Sequence, residues 1–543
     1  MNNIINPVLK GFNPDPSILR VGNDYYIATS TFEWFPGVQI HHSRDLINWR
    51  LIARPLNRVS QLDMKGALSS EGVWAPCLSY DNGVFYLIYT NLRLWTYAGP
   101  RDLDNYLVTA TDVSGDWSEP IYLNSSGFDP SLFHDEDGRK WLVNQRWDHR
   151  VGKNKFAGIV LQEYSTEEKR MVGPITDIFK GTDLGLVEAP HIYRRNGYYY
   201  LVTAEGGTTF KHAVTLARSK NLEGPYELHP QNPILTSWTG PELELQRAGH
   251  GSLVETQDGN WYMAHLCGRP LPNRGRCILG RETAIQKMVW REDDWLYLDG
   301  ADNHPKVNVP APNLKEVKWE EEPVRDDFDS TELNIHFQTL RMPLGDEFHS
   351  LTERPGYLRL KGSGSLGSRF HQSFIARRQQ AFRYTASTVV EFEPDTFQQM
   401  AGLTAYYDTN NFYYLHITWH EEKGKIIEIV KKDAGIFDEP IKEKISIEGW
   451  ERVYLRVDVD YHILQFSYSK DGNDWIKIGS SFDASVLSDE YTVPNRFTGA
   501  FVGICCQDLS GQRRNADFDY FEYEETVPGT VPGTTVNQNG RQG

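Results

Sequence analysis

Asp15-Pro16-Ser17-Ile18-Leu19, returning through Tyr25-Tyr26-Ile27, decides the fold because the chain writes it five times. The other copies are Trp74-Ala75-Pro76-Cys77-Leu78 with Phe85-Tyr86-Leu87, and Asp129-Pro130-Ser131-Leu132-Phe133 with Lys140-Trp141-Leu142. Then come Glu188-Ala189-Pro190-His191-Ile192 with Tyr199-Tyr200-Leu201, and His250-Gly251-Ser252-Leu253-Val254 with Trp261-Tyr262-Met263. Their starts lie roughly 55–62 residues apart, a period that signals stacked units or propeller blades. Each copy runs through a short apolar stretch, turns at a polar tip containing glycine, and returns through aromatics. That is a β-hairpin repeated five times. Around one axis, the leading residues Asp15, Trp74, Asp129, Glu188 and His250 would face one place. They bring three carboxylates, an aromatic floor and an imidazole together.

Strand signals dominate to about residue 303, and no long stretch sustains helical periodicity. Residues 1–303 are therefore expected to form a β-propeller of five blades. From 304 to 325 the composition shifts to Pro, Lys and Glu, which reads as a linker. Alternating runs such as Arg452-Val453-Tyr454-Leu455-Arg456-Val457 then predict a β-sandwich over 326–526, a concanavalin-like jelly roll, so the whole chain is all-β. Residues 527–543 are Pro, Gly, Thr, Asn and Gln without a core, the composition of a disordered tail.

A formal net charge of −17 argues against a nucleic-acid partner, since phosphate calls for a basic surface. No apolar run approaches the roughly 20 residues of a membrane span. The N-terminal residues lack the basic and apolar regions of a signal peptide. The five cysteines are odd in number and fit no zinc spacing. Reduced thiols and a cytoplasmic location are the expectation.

Cleaving a glycosidic bond takes two carboxyl groups, one to protonate the leaving oxygen and one to activate water or attack the sugar. Asp15, Asp129 and Glu188 are the candidates. Prolines beside Asp15 predict a rigid, extended mount. A lone Asp-Pro is usually a turn, but three acids at matching repeat positions favour a site. Trp74 could be core, though its register favours stacking on a sugar. His250 reads equally as a structural imidazole or as a contact to sugar, water or an ion. Arg281, after the last repeat, could bridge carboxylates and hold one ionised, or could simply be solvated.

Asn13-Pro14-Asp15-Pro16-Ser17, Trp74-Ala75-Pro76, Asp129-Pro130-Ser131, Glu188-Ala189-Pro190, His250-Gly251-Ser252 and Gly280-Arg281-Glu282-Thr283 together resemble glycoside hydrolase family 43. The layout is similar to its two-domain β-xylosidases over nearly the whole chain. That resemblance implies Asp15 as general base, Glu188 as general acid and Asp129 as the residue that tunes and orients the acid. It places His250 and Arg281 near the sugar, and Phe32 and Trp147 at the pocket entrance; Trp74, Ala75 and Phe128 are further candidate substrate-binding residues. It implies that the second domain lends the pocket rim a loop, Asn495-Arg496-Phe497-Thr498-Gly499, with Phe497 as the aromatic. It also implies inversion, side activity on arabinofuranosides, and a homo-oligomer, a dimer or tetramer. No cofactor is required for carboxylate chemistry. Some relatives carry calcium near the histidine, but no Asp-rich calcium loop occurs here.

An inverting pair leaves room for water, so its carboxyls stand roughly 6.5–9.5 Å apart. Glu188 must stay protonated near neutrality, and Asp15 must stay ionised beside a cation, for which Arg281 is the candidate. The favoured reading is an exo-β-1,4-xylosidase acting on xylooligosaccharides. The alternatives are an α-L-arabinofuranosidase and a non-catalytic carbohydrate-binding propeller. Fructan hydrolases, a further propeller-plus-sandwich class, start from Trp-x-Asn-Asp-Pro-Asn-Gly and use a Glu-Cys acid motif. This sequence departs from both.

Overall fold

Five four-stranded antiparallel blades, each continuing outward from one copy of the repeat, make up the first half of the chain. The computed structural model describes residues 2–94, 99–491 and 496–526. The tail at 527–543 and Asn495 of the rim loop lie outside them. The inner strands are Ser17–Val21, Gly72–Asp81, Ser131–His134, Glu188–Arg195 and Gln246–Glu255. Each pairs with the returning aromatic strand of its own copy, as Ile18 does with Ile27 and Leu132 with Leu142. Blade four carries an extra pairing, Leu235–Thr236 against Ala213–Ser219.

Apolar side chains fill every cleft between neighbouring blades. Ala28 and Ile40 pack with Leu78 and Leu87, then Ile88 and Leu107 with Leu132 and Leu142. Phe133 and Val143 meet Ile192 and Leu201, and Val202 and Val214 meet Leu253 and Met263. The ring closes where Tyr262 and Ile285 of blade five meet Ile18 and Tyr25 of blade one. The start of the chain fastens that seam. Asn3–Ile5 pairs with Asn308–Pro310, and the Asn6 side chain bonds both the N–H and the C=O of Ile285, at 2.8 and 2.7 Å. The linker stretch is thus held down. It also covers blade one, where the Trp319 indole N–H donates to Asn48 O at 3.1 Å and Arg50 lies 4.0 Å over its ring.

The second domain is a sandwich of an eight-stranded and a seven-stranded antiparallel sheet. Val453–Asp460 shows why: Val453, Leu455, Val457 and Val459 are buried while the residues between face outward, the two-residue period of a half-buried strand. The two domains share one continuous core. Trp34 stacks on Phe501 at 3.6 Å, and Phe12, Phe32 and Trp74 belong to the same cluster as Phe374, Tyr406 and Tyr414. Trp34–Phe35 pairs with Thr339–Leu340 across the boundary. Among the described residues no helix is long and apolar enough to cross a membrane, and all five cysteines are buried and unpaired.

Candidate active site

A cavity of about 350 Å3 opens at the end of the blade ring that faces the sandwich. Asp15, Asp129, Glu188, His250, Arg281, Trp74, Phe32, Phe128 and Phe497 all line it. Five backbone kinks bring them there. Asp15, Ala75, Asp129, Ala189 and His250 have φ of 57, 38, 53, 49 and 53°, and each precedes Pro or Gly. The extended backbone expected at Asp15 is therefore corrected to a left-handed one. A following proline disfavours the right-handed helical region, and Asp tolerates the left-handed one better than most residues.

The kinks also correct the register of the repeat. Trp74 and Glu188 are not the equivalents of Asp15. They stand one residue before the kink, level with Phe128. In blades two and four the inner strand passes through the kink as a bulge. Trp74 opposes Thr90 while Cys77 opposes Ile88, and Glu188 opposes Ala204 while His191 opposes Val202. Bulges re-aim side chains, and here they turn Trp74 and Glu188 into the cavity.

Asp15 is buried and held on all sides. Arg281 Nη1 donates to its Oδ1 at 3.2 Å, Ser30 Oγ donates to its Oδ2 at 2.7 Å, and His250 Nδ1 lies 3.7 Å away. Burial alone would raise its pKa, but Arg281, His250 and the Ser30 hydroxyl outweigh it, and the carboxyl sits below its ordinary value. Ala75 takes part through its backbone: its N–H donates to Ser30 Oγ at 2.7 Å, which aims the Ser30 proton at Asp15. The other two carboxyls move the opposite way. Burial pushes Glu188 well up, and the charges of Asp129 and Asp15 add to it. Burial and Asp15 likewise push Asp129 well up, although its Oδ2 accepts the Ala189 N–H at 3.2 Å.

The aromatic wall is built by both domains. Phe497 lies 6.0 Å from Phe32 and 5.6 Å from Trp74, which in turn meets Phe128 at 5.8 Å. Arg281 Nη2 donates to Phe497 O at 2.9 Å, so one guanidinium ties Asp15 to the sandwich. Gly280, at φ 71°, makes this approach feasible: a Cβ there would stand 3.0 Å from Gly499 Cα. Ser70 grips the wall from behind. Its Oγ accepts the Phe497 N–H at 3.0 Å, its C=O accepts the Trp74 indole N–H at 2.9 Å, and its own N–H donates to Glu33 at 2.9 Å. Trp147 stands one layer back, with Arg101 3.6 Å over its ring and Phe156 edge-on at 5.8 Å. Arg101 and Phe156 are the residues that reach the cavity.

Sequence reasoning missed Ser30, Ser70, Arg101, Thr208 and His212. Thr208 Oγ1 accepts from Arg281 Nη1 at 3.1 Å, and His212 Nδ1 lies 3.0 Å from Arg247 O. The pair Gly206-Gly207, both at positive φ, marks the loop that carries Thr208 inward and was a usable signal. Ser30 and Ser70 had none. Beside His250 the acidic donor is Asp15, already engaged by Arg281 and Ser30. Among the described residues no group of three or more His, Cys, Asp or Glu is arranged around a metal position.

Residues 4–296 match glycosyl hydrolases family 43, and residues 325–524 match the beta xylosidase C-terminal concanavalin A-like domain. The chain is 54% identical over 533 residues to a protein of Bacillus subtilis (strain 168) named "Beta-xylosidase", covering 96% of this chain and 99% of that one. It is 52% identical over 531 residues to "Xylosidase/arabinosidase 43B" of Humicola insolens, covering 96% and 98%. The crystal structure of xylan beta-1,4-xylosidase from Bacillus halodurans C-125 superposes with a TM-score of 0.95 at 56% identity, covering 96% of this chain and 100% of that one.

Proposed function

The chain belongs to glycosyl hydrolase family 43, and from that premise we propose an exo-acting, inverting β-1,4-xylosidase that releases D-xylose from the non-reducing ends of xylooligosaccharides. One observation carries the reading: three carboxyls share a cavity, and their surroundings push their protonation apart. Asp15 lies below its ordinary value, whereas Asp129 and Glu188 lie well above theirs. Such a split separates base from acid. Asp15 takes a proton from water as its oxygen bonds the anomeric carbon. Glu188 gives its proton to the leaving oxygen as the glycosidic bond breaks. Base and acid come from blades one and four, which suits a gap wide enough for water. A site that only bound sugar would gain nothing from burying carboxyls at this cost.

Phe497 lines the cavity against Phe32 and Trp74, and a rim supplied by the second domain suits attack on a terminal residue. Ser70→Gly keeps the left-handed backbone, since φ there is 68°, but removes the hydroxyl that holds the Phe497 N–H. We expect KM for xylobiose to rise roughly 3- to 10-fold, the value of one hydrogen bond, with kcat nearly unchanged. An unchanged KM would show that the aromatic holds its place without Ser70.

Asp129→Asn removes a negative charge that raises the Glu188 pKa. The acid would then lose its proton at lower pH, so the basic limb of the kcat/KM profile should move down, with a loss of about 10²-fold in rate. A wild-type rate with an unmoved basic limb would leave Asp129 a turn residue.

The arabinosidase in the name of one relative is the second reading. A panel of nitrophenyl glycosides decides: the β-D-xyloside should have the higher kcat/KM, and a higher value for the α-L-arabinofuranoside would reverse the assignment. We also infer a homo-oligomer working in a reducing compartment. Sedimentation velocity checks the first, and five buried, unpaired thiols support the second.

A further inference from the structure

We propose that the domain junction carries a second binding site, for a small tetrahedral oxyanion such as phosphate or sulfate, built on Arg378, His41 and Arg54. Arg378 ends the sandwich strand Ser373–Arg378, His41 lies in Gln39–Ser43 of blade one, and Arg54 directly follows Arg50–Ala53. They are 5, 9 and 8% exposed. Each guanidinium spends its Nε–H on a carbonyl: Arg378 on Phe12 O at 2.7 Å, and Arg54 on Ile335 O at 2.8 Å. Arg378 Nη2, both Arg54 terminal nitrogens and His41 Nδ1 have no hydrogen-bond partner among the described residues.

Arg378 lies 5.3 and 5.2 Å over the Phe12 and Phe501 rings, but no carboxylate among the described residues offsets the charge of the cluster. Besides burial, Arg54 is the charge acting on Arg378, and Arg378, Arg54 and His336 are those acting on His41, all of one sign. A buried cation without a partner is strongly destabilising. In a chain with net charge −17, acids are abundant, yet among the described residues none is hydrogen-bonded or ion-paired to these three side chains. The acids nearest in the fold are engaged elsewhere or lie outward. Glu322 is taken by His336 at 2.5 Å, and Glu320 and Glu321 are exposed on the linker.

Access and geometry fit an anion from solution. A groove of about 590 Å3 runs between blade one, the linker and the sandwich; His41, Arg378, Lys10 and Arg377 line it together with Glu320, Glu321 and Glu322, while Arg54 lines a separate cavity of about 580 Å3. Planar guanidinium forks suit oxyanions better than they suit a spherical halide. The neutral imidazole adds one N–H donor. An anion seated here would join blade one to the sandwich, the joint that also positions Phe497.

The test is a thermal melt of the full-length chain in phosphate- and sulfate-free buffer at constant ionic strength, titrated with phosphate, sulfate or chloride. Phosphate and sulfate should raise Tm saturably by about 2 °C, and chloride should not. Arg378→Met should abolish that increment and melt no lower than the wild type in anion-free buffer, because the stranded charge is gone. Arg54→Met should behave likewise, and a calorimetric phosphate titration of the wild type needs no variant to fold. Equal shifts with all three salts, no heat of phosphate binding, or an increment that survives in both variants would overturn the site.

Discussion

Asp15→Ala is expected to lose about 10⁴-fold in kcat on xylobiose and on aryl xylosides alike, because no other group in the cavity is placed to deprotonate the attacking water. The loss should not depend on the leaving group, since the base acts on water and not on the departing oxygen. Asp15→Asn separates chemistry from folding. It retains a carbonyl to accept from Arg281, at 3.2 Å in the wild type, and turns an amide NH2 toward the Ser30 hydroxyl, 2.7 Å away, which must then accept instead of donate, but it cannot take the proton from water. Its thermal midpoint should stay near the wild type while its activity falls as far as that of the alanine variant. If Asp15→Asn keeps more than about a tenth of the wild-type rate, the base lies elsewhere.

Glu188→Ala should show the opposite selectivity. On xylobiose, whose leaving group needs a proton, the loss should reach about 10³- to 10⁴-fold. On a dinitrophenyl xyloside, whose leaving group departs as a stable anion, most of the rate should survive. The basic limb of the wild-type pH profile should also vanish on the activated substrate, because that limb reports the proton Glu188 must hold. Equal losses on both substrates would remove Glu188 from the acid role.

How far the sequence carries this account follows from what kind of contact each feature needs. The hairpins are local: apolar strands, Gly-containing tips and returning aromatics lie within about twenty residues of one another, so the five blades are legible one at a time. The alternation of Val453–Asp460 made the sandwich equally legible. The carboxylates were found because the repeat placed them, even though the repeat was aligned one residue out at Trp74 and Glu188. The kink that corrects it depends on backbone torsion, which residue type alone only weakly restricts. Trp147 was placed at the entrance through the family resemblance, yet Arg101 and Phe156 stand between it and the cavity.

Of the supports of the site, the sequence singled out Arg281 as the cation beside Asp15, but not the serines or the bond from Arg281 to the rim. Arg281 meets Asp15 across 266 residues and Phe497 across 216. Ser70 meets Phe497 across 427. Nothing near Ser30 or Ser70 in the chain distinguishes those serines from ordinary strand ends. Phe497 itself was reached through family resemblance and not through any pattern in its own neighbourhood. The second domain thus enters the site through contacts that only the folded chain reveals, and one guanidinium links its loop to the carboxylate proposed as base.

The stereochemistry of the released sugar tests the central claim most directly. Proton NMR of the anomeric signals, recorded as xylotriose is hydrolysed and before mutarotation sets in, should show α-D-xylose and xylobiose as the first products. That is the outcome of water attacking opposite a protonated leaving group, from one chain end. β-D-xylose as the first anomer would mean that a carboxylate attacks the sugar directly, and would contradict the assignment of Asp15 as a base acting through water.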